Sequence, residues 1–122
     1  MLIGELDTWT PSEACVEFEN IMQEHSYDFN VTVYKNSYHS FDRVSKVSIK
    51  ENAYDFSECR LKIRDDGAVL MNFLNIPMTT PFLQKIGLSF CAKRGPKFGG
   101  NAISREHAFS FSKKFMKEHL LS

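Results

Sequence analysis

"DFNVTVYKN", Asp28 to Asn36, is the stretch on which the fold turns. Phe29, Val31 and Val33 alternate with polar neighbours, and β-branched side chains dominate, which is the period-two pattern of a half-buried strand. Upstream lies a second apolar run, "MLIGE", which begins abruptly at Met1 and ends in a Gly-Glu-Leu-Asp turn. It reads as the carboxyl end of a buried strand. Between the two runs, Thr10 and Glu13 spell a T-x-x-E capping box with Pro11 at the first helical position. Ala14, Phe18, Ile21 and Met22 then recur at helical spacing, so a helix is expected from about Pro11 to His25. Strand, helix, strand with so long a connector is the βαβ unit of a parallel sheet, whose crossover is almost always right-handed. The expected fold class is therefore α/β.

Downstream the pattern loosens. "DDG", Asp65 to Gly67, separates "CRLKIR" from "AVLMNFL" as the turn of a hairpin or a long loop would. Pro77, Pro81 and Pro96 punctuate a segment whose helical candidate is "PFLQKIGLSFCAK". The final element is a helix with Ser104 as its cap and a stripe of Ala108, Phe111, Phe115 and Leu120. No repeat, low-complexity run or linker divides the chain, so residues 1–122 are read as one portion of a domain.

Composition narrows the function. The 122 residues are 43% hydrophobic and 25% charged, with 11 Phe, which suits one small globular core. Lys plus Arg and Asp plus Glu number 15 each, so no net field draws the chain to nucleic acid or to an anionic membrane. The basic "KKFMK" near the end has helical spacing and reads as a solvated face. No apolar run reaches the roughly 20 residues that span a bilayer. Cys15, Cys59 and Cys91 are odd in number and far apart, with neither a CxxC pair nor a secretory leader, and are expected to be free thiols in a cytoplasmic protein. His25, His39, His107 and His119 form no HxxxH or HExxH pair, so neither a metal nor a cofactor is expected.

In open α/β sheets, reactive groups collect beyond the carboxyl ends of the strands. Asp7 follows the first expected strand, and His39, in "SYHSFDR", follows the second. A carboxylate there could take the imidazole's Nδ1–H, fix its tautomer and stabilise the imidazolium formed when Nε2 accepts a proton. Taken singly, Asp7 also suits a turn former and His39 a solvated loop histidine.

The phrases "LIGELDTWTP", "VTVYKNSYHSFD" and "RGPKFGGNAISREHAFSFSKKFMKEHL" together resemble the C-terminal half of a dienelactone hydrolase-like α/β-hydrolase. The likeness covers residues 1–42 and 94–120 and is loose between them. It implies a partial α/β-hydrolase fold, a βαβ unit with parallel strands plus a C-terminal helix. It also gives Asp7 the role of triad acid and His39 that of triad histidine. The substrate implied is a small-molecule ester or lactone, and Trp9, Tyr38 and Phe41 are candidate substrate-binding residues. Such enzymes run nucleophile, acid, histidine along the chain, with a Ser or Cys on a glycine-flanked elbow. That elbow is expected upstream of Met1. "GLSFC", Gly87 to Cys91, mimics part of it, but it follows the histidine and lacks the second glycine, so Ser89 reads as a helix serine; the three cysteines likewise lack the turn and read as packing.

Three functions follow as expectations. The chain is half of a split hydrolase completed by a complementing chain, an inactive remnant prone to homo-oligomers, or a small binding or interaction module.

Overall fold

The computed structural model describes residues 1–71 and 74–120. Along the chain run β1 (Leu2–Gly4), α1 (Ser12–Glu24), β2 (Thr32–Tyr34), β3 (Ser48–Ile49), β4 (Tyr54–Asp55) and β5 (Lys62–Ile63). After these come β6 (Val69–Leu70), α2 (Pro81–Ser89), β7 (Lys93–Arg94), β8 (Lys97–Phe98) and α3 (Ala102–Leu120). The described residues form a mixed helix and strand protein with four two-stranded sheets, of which β1–β2 is parallel. The chain divides into two compact units, Met1–Lys50 with Lys97–Ser122, and Glu51–Pro96.

In the first unit, β1 and β2 pair with Leu2 opposite Thr32 and Gly4 opposite Tyr34, and α1 connects them, so the expected βαβ unit is present. The strand at 28–36 is shorter than its pattern, and its alternation is not the one that decides burial. Tyr34 is buried while Val33 is exposed. Tyr34 packs with Phe41 and Ala108 in the buried cluster, with Leu2 alongside. Burial pushes the Tyr34 phenol above its ordinary value of 10.0, because the charged phenolate loses its hydration there. Its hydroxyl meets His107 Nδ1 at 2.9 Å.

Two caps differ from expectation. Pro11, not Thr10, is the N-cap of α1, and no side chain bonds the helix start. The Thr10 hydroxyl is held instead by Asp7. Helix α3 begins two residues before Ser104, and Asn101 Oδ1 accepts from Ser104 N in the capping geometry. Ser104 is thereby freed to turn inward, where its hydroxyl meets that of the fully buried Ser37 at 2.8 Å. The helical stripe of α3 is present, but only its first member is covered: Ala108 is buried, whereas Phe111 and Phe115 are 44% and 48% exposed.

In the second unit, β4 pairs antiparallel with β7, and Gly95 N donates to Ala53 O, so the segment's two ends are clasped together. "DDG" is the turn of a hairpin between β5 and β6. Beside that turn, the Arg64 guanidinium donates to Asp66 and holds its carboxyl down to about 2. Helix α2 starts at Pro81 with Thr80 as its cap, and Ser89 lies on it with its hydroxyl donated to Ile86 O. Gly87 leaves room for Met71 and Met78, which are the buried apolar side chains of this unit among the described residues.

The cysteine expectation fails for two of the three. Cys59 and Cys91 form a disulfide with Cα atoms 5.0 Å apart, and Cys15 on α1 is the free thiol. Sequence spacing did not suggest the pair because the fold, folding back through the β4–β7 clasp, is what brings positions 32 apart together. Disulfides persist where thiols are oxidised, so the argument for a cytoplasmic setting falls with the expectation. No described helix is long and apolar enough to cross a membrane.

Candidate functional site

Asp7 and His39 meet. His39 Nδ1 lies 2.9 Å from Asp7 Oδ2, across the 32 positions that separate them in sequence. Parallel pairing of β1 with β2 puts both carboxyl ends at the same edge, and the loops that leave them are laced together. Glu5 N donates to Tyr34 O and Leu6 N to Ser37 O, each at 2.9 Å. Gly4 makes the lacing possible, since a Cβ there would stand 2.4 Å from Ser37 O. Ser40, at φ 57, takes the sharp turn immediately after the histidine. The far side of the His39 loop is tied by Gly99 N to His39 O and by Asn101 N to Phe41 O.

The Asp7 side chain is 4% exposed and the His39 side chain 35%. A buried carboxylate is costly unless its oxygens are occupied, and here they are. Oδ1 accepts from Trp9 N and Thr10 N, both at 2.9 Å, while Oδ2 accepts from the Thr10 hydroxyl at 3.1 Å as well as facing the imidazole. The Trp9 ring meets the His39 ring edge-on with centroids 4.9 Å apart. Nε2 makes no hydrogen bond to a described residue, and His39 lines an open cavity of about 440 Å³. Leu2, Ile3, Phe41, Ala108 and Phe109 give this cavity an apolar wall, and Asp7, Thr10 and Asp42 a polar rim.

Of the residues expected to bind substrate, Phe41 lines the cavity while packing on Tyr34. Trp9 braces the imidazole. Tyr38 lies beneath the ammonium of Lys97, 5.8 Å from its ring centre, and is not among the residues of the cavity wall. Thr10 is the member that sequence reasoning missed. Its local phrase matched a helix cap, yet an aspartate three residues earlier competes for the same hydroxyl, and that D-x-x-T spacing was the available signal.

Among the described residues no group of three or more His, Cys, Asp or Glu is placed to hold a metal ion. No protein-family model matches the chain, and no curated protein and no solved structure matches it either.

Proposed function

We propose that this chain carries the acid and the histidine of a nucleophilic acyl hydrolase acting on small esters or lactones, as the C-terminal part of a dienelactone hydrolase-like α/β-hydrolase fold. The observation that carries the reading is the 2.9 Å contact between His39 Nδ1 and Asp7 Oδ2, beyond the ends of two parallel strands and at the wall of an apolar cavity. In this reading His39 Nε2 takes the proton of a Ser or Cys nucleophile and later returns it to the leaving group, while Asp7 holds Nδ1–H and stabilises the imidazolium. The nucleophile and the oxyanion-hole donors come from polypeptide outside these 122 residues. The apolar cavity wall suits the acyl part of such a substrate.

Hydrolysis of 4-nitrophenyl acetate tests the pair in the chain as it stands. An imidazole oriented by a carboxylate should support slow turnover that falls at least about tenfold in His39→Ala, with Asp7→Asn intermediate. A rate indifferent to His39 would sink the hydrolase reading for this chain.

A second reading, an interaction module, is favoured by the uncovered rings of α3. Phe111 stacks on His107, and Phe115 on Phe111, outside the buried cluster. The two readings are compatible if the surface that covers those rings belongs to the polypeptide that supplies the nucleophile.

A further inference from the structure

His39 Nδ1 and two oxygens form a closed triangle: Asp7 Oδ2 lies 2.9 Å and Thr10 Oγ1 3.3 Å from Nδ1, with 3.1 Å between the two oxygens. Only two hydrogens are available to serve its three sides. An ionised carboxylate offers none, so the Thr10 proton goes to Asp7, and the lone pairs of Thr10 are left facing the imidazole. Both oxygens then present lone pairs to Nδ1. An unprotonated Nδ1 would set lone pair against lone pair on two sides, whereas an Nδ1–H is shared between two acceptors.

We infer that Thr10 is a positioning residue that, together with Asp7, locks His39 in the Nδ1–H tautomer and so leaves Nε2 as the bare, basic nitrogen facing the cavity. The hydroxyl acts in two ways. It anchors Oδ2, the carboxylate oxygen that no backbone N–H holds, and it supplies the second acceptor. The edge of the Trp9 ring, at 68° to the imidazole plane, limits rotation of the histidine away from both. Thr10 is available for this because Pro11, not Thr10, is the N-cap of α1. The inference gives the acid–histidine reading its orientation step and rests on that reading for its functional meaning, although its geometry stands independently.

The test is the tautomer itself, read from long-range ¹H–¹⁵N spectra of the imidazole rings in the ¹⁵N-labelled 122-residue chain, at a pH where His39 is neutral. In the unaltered chain His39 should show a protonated Nδ1 and a bare Nε2, unlike the mixture of a free histidine. In Thr10→Val, which keeps the shape and removes the hydroxyl, the preference should fall several-fold, and Thr10→Ser should restore it. His107, whose Nδ1 faces Tyr34 elsewhere in the same unit, serves as the control and should not move. If Thr10→Val does not fold, Thr10→Ala set against Thr10→Ser asks the same question. An Nε2–H tautomer in the unaltered chain overturns the inference, as does a His39 spectrum that ignores loss of the hydroxyl. Failure of ester hydrolysis would not affect either result, so the two ideas fail separately.

Discussion

A single hydrogen atom at position 4 decides whether the two halves of the site can touch. Gly4 ends β1 where the backbone of the 37–38 segment crosses it, and a Cβ would lie 2.4 Å from Ser37 O, 2.9 Å from Ser37 C and 3.0 Å from Tyr38 O. All three are main-chain atoms held by Leu6 N and their neighbours, so no flexible side chain can swing aside. Gly4→Ala should therefore destabilise the first unit by about 1–3 kcal/mol, the usual cost of overpacking. It should also pull His39 from Asp7, lowering any His39-dependent ester hydrolysis in parallel with the denaturant midpoint. Gly67→Ala is the contrast. Gly67 sits at φ +83 with nothing within 4 Å of a would-be Cβ, so only backbone strain of about 1–2 kcal/mol is at stake. Sequence patterning gave no warning that Gly4 mattered sterically, because the atoms it must clear lie more than thirty positions away and on another strand's exit loop.

Elements whose identity depends on their own residues were legible from the sequence; those that depend on distant partners were not. The βαβ unit and helices α2 and α3 follow from local periodicity and proline placement, the turn at Asp65–Gly67 from its glycine although a hairpin and a long loop both fit it, and Asp7 and His39 share one edge by that same topology. The inward face of β2 departs from its pattern, since the alternation of Phe29, Val31 and Val33 gives way to the contact of Tyr34 with Phe41 and Ala108. Thr10 departs from its capping motif because a nearby carboxylate offers its hydroxyl a stronger bond. The disulfide was missed for a similar reason, and it is what the second unit most depends on. Its apolar core among the described residues is little more than Met71 and Met78, too small to offset the chain entropy of ordering such a segment. Closing a loop between residues 32 apart removes about 4 kcal/mol of freedom from the unfolded chain on the entropic model. The double variant Cys59→Ser, Cys91→Ser should open that unit first. Amide exchange and limited proteolysis should rise within 51–96 and leave β1, β2 and the start of α3 protected; uniform protection across both segments would contradict this.

At the scale of the molecule the conspicuous quantity is surface. Much of the uncovered area is apolar and lies on helices that sequence patterning marked as core-facing. Phe18 and Ile21 of α1 are exposed, as are Phe111, Phe115, Met116 and Leu120 of α3. On α3, His107, Phe111, Phe115 and His119 form a continuous ladder of rings, with centroid spacings of 6.4, 6.4 and 4.2 Å. That order reads the same from either end. Two copies laid antiparallel about a two-fold axis near Lys113 would place Phe111 of one against Phe115 of the other and each His107 near a His119, the self-complementary pattern of an isologous contact. Purified without a covering partner, the chain should therefore self-associate, with a sedimentation coefficient that rises with protein concentration. The double change Phe111→Gln, Phe115→Gln replaces rings that are about half exposed and lie outside the buried cluster, so it should keep the first unit folded and hold the chain monomeric. A chain that stays monomeric with the ladder intact would leave the exposed rings to a different protein. Association that survives the double change would move the contact to α1 or to the open edge of β1.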